Sequence, residues 1–150
     1  MMKYLVFMAG AAVLAVTLAG TAAARTINLQ PGFWVMTANA EVANRPRLHA
    51  ESVTKRCITR ADSRHNRIVP HLETRPGMSC TLMSFSRSGN TATYTRVCTN
   101  HESKLTAHGK IKFISPVAYR ATVQTTGRIR GHLVSTTRTV HAKRVGNCGR

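Results

Sequence analysis

The feature that most constrains the fold of this chain is an alternation of apolar and polar side chains. In residues 117–125 the apolar Val117, Tyr119, Ala121 and Val123 take every second position, and the polar Arg120, Thr122 and Gln124 lie between them. A period of two is typical of a β-strand with one buried face. Residues 33–42, 105–113 and 128–135 show the same pattern, and residues 48–58 are a weaker strand candidate.

Turn signals separate these runs, at residues 44–46, 89–90, 115–116 and 126–127. Residues 80–87 and 91–98 predict a hairpin around Gly89-Asn90 that places Phe85 opposite Tyr94. One short helix is predicted over residues 59–67, with Thr59 as its N-cap, and residues 66–77 are predicted to be a loop. We therefore expect an all-β, mainly antiparallel fold, in which a curved sheet forms a half-barrel or closes into a small barrel.

The N-terminal residues 1–24 have the features of a cleaved signal peptide. Lys3 precedes an apolar run from Leu5 to Leu18, and three alanines stand before Arg25. The run is about 14 residues long, shorter than the roughly 20 that span a bilayer. The expected product is a periplasmic or secreted protein with a single β-rich domain over residues 25–150 and no transmembrane segment after signal removal.

All four cysteines follow this segment, at Cys57, Cys80, Cys98 and Cys148. No Cys-x-x-Cys motif is present, so two disulfides are expected, in one of three connectivities. A two-residue hairpin loop points Cys80 and Cys98 to opposite faces, which disfavours a bridge between them, whereas a three-residue loop would reverse that result. The pairing favoured by this argument is Cys57–Cys80 with Cys98–Cys148.

The order of several short motifs resembles a known family. They are Pro31-Gly32-Phe33-Trp34, Cys57 with Thr59, Cys80, a Gly-Asn hairpin, Cys98, and the ending Arg144-Val145-Gly146-Asn147-Cys148. Together they resemble the small secreted bacterial proteins of domain of unknown function 3617, over about residues 30–148. The chain departs from the family pattern in having Val35 where Glu is usual, Asn147 where Asp is usual, and only residues 44–47 where many members have a Met/Pro-rich segment. The resemblance implies a periplasmic β-rich protein and brings no catalytic residues.

The titratable residues give no catalytic or metal-binding signature. The seven histidines form neither His-x-His nor His-Glu-x-x-His, and the five acids are scattered. We predict a protein that is not an enzyme and has no metal or cofactor. The enzymatic alternative is a ribonuclease-like mechanism using His108, His132 and Lys110. Trp34 is expected to be a structural core residue.

The formal net charge of +17 points to anionic partners, although a genome-wide basic bias produces the same excess. The candidate anion-binding residues are expected to form one patch on the polar strand faces: Lys110, Lys112, Arg120, Arg128, Arg130 and His132. The expected partners are anionic lipid, lipopolysaccharide or another polyanion, without specific nucleic-acid binding. The alternative function is a small-molecule or lipid carrier with an apolar β-barrel interior. The oligomeric state is not indicated.

Overall fold

The chain forms one antiparallel β-sheet in the computed structural model, which describes residues 26–43, 45–64 and 77–149. The side chains of residues 45–49 and 64 are outside this description, as are the predicted signal peptide and most of the predicted loop over residues 66–77. Among the described residues, no helix has the length and apolar character needed to cross a membrane.

Seven strands and one helix make up the described chain. In chain order they are β1 Gly32–Val42, β2 Arg45–Ile58, α1 Arg60–Arg64, β3 Ser79–Ser88, β4 Thr91–Thr99, β5 Ser103–Ser115, β6 Ala118–Ile129 and β7 His132–Gly146. The strand order is β2-β1-β7-β6-β5-β4-β3, so β3 to β7 form a meander and the β1–β2 hairpin extends it beyond β7. The sheet is open, with β2 and β3 at its edges. The prediction of an all-β, antiparallel fold is confirmed, and the sheet does not close into a barrel.

The helix begins as its sequence predicts. The Thr59 hydroxyl accepts a hydrogen bond from the Asp62 backbone N–H at 3.2 Å, and an Asp62 carboxylate oxygen accepts one from the Thr59 backbone N–H at 2.9 Å. This reciprocal pair satisfies backbone donors at the helix start. The described helix ends at Arg64, and the remainder of the predicted helix lies outside the described residues.

The turn between β6 and β7 differs from the prediction. The turn expected at residues 126–127 is wrong: Gly127 lies inside β6, opposite Leu105, where an added Cβ would collide with the Lys104 carbonyl oxygen. The chain reverses instead at Arg130 and Gly131, whose φ angles are 47° and 81°. Two successive positive φ angles are the geometry of a two-residue hairpin loop. After it, β7 continues well past the predicted end at residue 135.

The core depends on large side chains that meet across a small one. Ala142 of β7 is the register partner of both Met36 of β1 and Tyr119 of β6. Above it, the Tyr119 hydroxyl donates to Met36 Sδ at 3.3 Å, and the Trp34 and Tyr119 rings lie 5.6 Å apart. Trp34 has no exposed surface, and its indole N–H donates to the Gln30 carbonyl at 3.2 Å. A small residue on the middle strand thus lets side chains two strands apart pack together.

A similar fit occurs between β4 and β5. Gly109 is the partner of Tyr94, and a Cβ at Gly109 would collide with the Tyr94 ring. The ring therefore lies against the glycine backbone, and Tyr94 is only 3% exposed. This contact explains a glycine in the middle of a long strand.

The disulfides are Cys57–Cys148 and Cys80–Cys98, so the favoured pairing of Cys57 with Cys80 and Cys98 with Cys148 is wrong. The hairpin loop is as predicted, with Phe85 opposite Tyr94. A β-bulge between Leu82 and Ser84 then adds one residue to β3. One extra residue reverses the parity of the rest of the strand. Cys80 therefore faces Cys98, with a Cα–Cα distance of 4.0 Å.

Candidate anion-binding site

The two faces of the sheet carry different side chains. The core face holds the buried apolar positions, including Trp34, Ile111, Val123 and Val140, each no more than 1% exposed. The outer face holds the alternate positions, which are mostly exposed Thr, Lys, Arg and His. A free anion reaches only accessible charge, so the anion-binding residues are expected on the outer face.

The six predicted anion-binding residues do not form one patch. Lys110, Lys112, Arg120 and Arg128 lie on the outer face, and Lys112 and Arg120 are direct cross-strand partners. Arg128 is instead the partner of Lys104, toward the opposite end of the same strands. The two pairs are therefore eight residues apart along both β5 and β6.

The other two predicted residues lie elsewhere. Arg130 is in the β6–β7 turn, where its Nε lies 2.9 Å from the Glu102 carboxylate. His132 is the partner of Ile129, a register that belongs to the core face. The alternation argument placed them with Arg128 because it carried the strand period through residues 130–131, where the chain turns.

Register brings further basic residues beside Lys112 and Arg120. His141 of β7 is the partner of Arg120, and Lys143 follows it on the outer face. Val35 of β1 is the partner of both Lys143 and Lys55 of β2, so it lies between these two lysines. We name the cationic cluster as the exposed outer-face residues Lys55, Lys110, Lys112, Arg120 and Lys143.

Sequence reasoning missed Lys55, Lys143 and His141. Their positions follow from the pairing of β1 with β7, two strands far apart in the chain. A local signal existed in β7, where His141 and Lys143 alternate with the buried Val140 and Ala142.

The acids on the outer face lie outside this cluster. Glu51 is paired with Asn39, one row further along the sheet, and Glu41 lies beyond it on β1. Glu102 is bonded to Arg130 at the opposite end. Glu51 shares the row of Lys110 but lies four strands away from it, on β2. Among the described residues, the cluster thus has an excess of positive charge that no carboxylate on an adjacent strand of its rows offsets.

A shallow depression of about 470 Å³ lies within the cluster. Its lining combines Arg120, His141 and Lys143 with Val35, Ile114 and Val145. Ile114 and Val145 are 49% and 57% exposed, so their aliphatic groups stand in solvent next to the cations.

Several arginines lie on the core face and not among the exposed cations. These half-buried residues, each paired with a core-face residue of a neighbouring strand, are Arg56, Arg87, Arg96, Arg138 and Arg144. The Arg87 guanidinium lies 4.3 Å above the Phe113 ring and also donates to the Ile27 carbonyl. Partial burial lowers the pKa of Arg87.

Arg144 has a comparable structural contact. Its Nε donates to the Pro31 carbonyl at 2.8 Å. Arg87 and Arg144 therefore bind carbonyl groups near the two ends of the segment over residues 26–31, which precedes β1. The net charge of the chain accordingly overstates the charge available to a ligand.

His132 lies apart from the other two residues of the ribonuclease-like alternative. His108 and Lys110 line an outer-face depression of about 530 Å³ with Thr93, Thr95 and Gln124, and His108 Nδ1 lies 3.1 Å from the Thr95 hydroxyl. His132 has the register of the other face. In the described part of the chain, no group of three or more His, Cys, Asp or Glu side chains is placed to hold a metal ion.

Comparison with known proteins gives one match, to a protein family. Neither the curated proteins nor the solved structures gave a significant match. Residues 29–148 match the family described as "Protein of unknown function (DUF3617)". The match covers the seven described strands and all four cysteines, and the chain therefore belongs to the DUF3617 family.

Proposed function

We propose that this is an exported, non-enzymatic protein of the cell envelope that binds anionic surfaces through the cationic cluster. The observation that carries the proposal is the placement of Lys55, Lys112, Arg120 and Lys143 on adjoining rows of one exposed face, away from the described acids. Exposed cations at this density attract phosphate and carboxylate groups that come into contact with them. The signal-like residues 1–24 and the two disulfides support export, because disulfides persist in oxidising compartments.

The close packing of the core face favours anion binding at the outer face over the carrier alternative. A carrier needs space among the apolar side chains, and here they pack on one another at 0–6% exposure. An apolar ligand would have to displace contacts such as that between Trp34 and Tyr119. The cationic cluster needs no such rearrangement.

The test compares two matched pairs of cations. Lys112 and Arg120 are partners on β5 and β6 within the cluster, and Lys104 and Arg128 are partners on the same two strands outside it. We expect Lys112→Ala/Arg120→Ala to weaken binding to polyphosphate and to anionic vesicles by roughly fivefold per residue at low salt. Lys104→Ala/Arg128→Ala, which removes the same charge, should weaken it much less.

Binding is measured by co-sedimentation with vesicles and by retention on immobilised polyphosphate, at low and at about 0.5 M salt. Equal losses for the two pairs would mean that net charge, and not the cluster, attracts the anion. Binding that does not respond to salt or to either pair would refute the proposal.

A further inference from the structure

We propose that the anion bound by the cationic cluster is the surface of a lipid bilayer, and that aliphatic side chains of the same end of the sheet insert among its acyl chains. This inference rests on the proposed function and names the partner of the same site. It is drawn from two features of the cluster that charge alone does not explain.

The first feature is a set of exposed aliphatic side chains among the cations. Val145 and Ile114 line the depression with Lys143 and Arg120. Val53, which is 59% exposed, is two residues from Lys55 on β2, and Val117 lies in the adjoining β5–β6 turn. Exposed apolar side chains grouped with polar ones mark surfaces that meet a protein or a membrane. A soluble polyanion offers no apolar phase in which these side chains gain by burial.

The second feature is the choice of cation. The cluster contains four lysines, Lys55, Lys110, Lys112 and Lys143, whereas the core-face contacts use arginine. Lysine is a strongly hydrated point charge on a flexible stem, and it is depleted from interfaces between proteins. It suits a wet headgroup layer, where the amine stays solvated while the stem and its aliphatic neighbours lie deeper. The combination therefore favours a lipid surface over a protein partner.

The experiment separates insertion from charge attraction. Ile114→Ser/Val145→Ser removes two exposed aliphatic side chains and no charge. Its matched control is Met83→Ser/Leu133→Ser, which removes apolar side chains that are 63% and 76% exposed at positions outside the cluster. Binding is measured with vesicles of phosphatidylglycerol and phosphatidylcholine, with pure phosphatidylcholine vesicles, and with soluble polyphosphate.

We expect Ile114→Ser/Val145→Ser to weaken binding to the anionic vesicles by about tenfold and to leave polyphosphate binding within about twofold. The control pair should bind all three probes as the unaltered protein does. Thermal unfolding of each variant verifies that the sheet is intact.

A second measurement reports insertion directly. Trp34 is fully buried and is the only tryptophan, so it gives a constant fluorescence background. Val145→Trp should show a blue-shifted emission with anionic vesicles and no shift with polyphosphate, and Leu133→Trp should shift with neither.

The outcomes distinguish the two proposals. In one outcome, both polyphosphate and vesicle binding depend on Lys112 and Arg120, but Ile114→Ser/Val145→Ser has no effect and position 145 shows no blue shift. This outcome would overturn the lipid inference alone and leave a soluble polyanion as the ligand. Absence of binding to any anionic probe would overturn the proposed function as well.

Discussion

The two faces of this sheet are formed by the same strands but differ in packing and charge. On the core face, large side chains meet over small ones, as Tyr119 and Met36 do over Ala142, and arginines are held by backbone carbonyls. On the outer face, the same strands β5, β6 and β7 present Lys112, Arg120 and His141 in one row to solvent. Because adjacent residues point to opposite faces, packing and surface charge are set by independent positions of one sequence. Variants of either face should therefore act on different properties of the molecule.

Each face also has its own disulfide, and the largest expected effect concerns these bridges. Cys98 is 3% exposed on the core face, whereas Cys57 is exposed and bound to Cys148 beyond the end of β7. The bridges span sequence separations of 18 and 91 residues. Loop-entropy estimates give about 3 kcal/mol for Cys80–Cys98 and about 4.5 kcal/mol for Cys57–Cys148.

We expect Cys57→Ala/Cys148→Ala to lower the free energy of unfolding more than Cys80→Ala/Cys98→Ala, as measured by urea denaturation. The reverse order would mean that the loss of packing around buried Cys98 outweighs loop closure, and it would assign more of the stability to the core face.

The next prediction compares truncation of a core-face side chain with truncation of an outer-face side chain. Trp34→Ala removes a fully buried ring that contacts Tyr119 and should cost about 3–5 kcal/mol of unfolding free energy. Val53→Ala, on the neighbouring strand and 59% exposed, should change stability by no more than about 0.5 kcal/mol. Chemical denaturation of both variants provides the measurement, and similar losses would show that the outer face also contributes packing.

Substitution of Gly109, which lies beneath the Tyr94 ring, should have a smaller effect on the free energy of unfolding. Gly109→Ala places a methyl group where the Tyr94 ring lies, and the ring must shift. Overpacking of this kind costs about 1–3 kcal/mol. Gly146→Ala, at a position where nothing lies within 4 Å of an added Cβ, is the matched control. A neutral Gly109→Ala in the same denaturation assay would show that the ring has space to move.

The smallest effect at neutral pH is expected for Tyr119→Phe. Burial raises the pKa of Tyr119 well above its ordinary value, so the unfolded chain releases this proton at a lower pH than the folded protein does. The resulting stabilisation is complete below about pH 10 and decreases as the pH rises above that value. At pH 7 the variant loses the hydrogen bond to Met36 Sδ, at a cost of less than about 1 kcal/mol.

Unfolding measured between pH 8 and about pH 11 should therefore show a steeper alkaline decline for the unaltered protein than for Tyr119→Phe. Parallel pH profiles would indicate that Tyr119 ionises in the folded state without a penalty.

The period of two predicted the fold class, the β3–β4 loop and the outer-face position of Lys110, Lys112 and Arg120. These inferences succeeded because alternation and turn residues act between neighbours in the chain. The helix start at Thr59 was predictable for the same reason, since its capping partner Asp62 is three residues away. The family was also recognisable from the order of its short motifs.

Other features were decided only by the tertiary structure. A bulge at residue 83 reversed the parity of β3 and with it the disulfide pairing, although nothing in the local sequence requires a bulge there. Arg138 and Arg144 are charged side chains at core-face positions of β7, so they interrupt its alternation. Their hydrogen-bond partners, Ser52 and Pro31, belong to distant segments of the chain and are not evident from the local sequence. The cationic cluster required the pairing of β1 with β7, which brings Lys55 of β2 and Lys143 to either side of Val35. Local periodicity determines which residues face together, whereas contacts between distant strands determine which of those residues are neighbours.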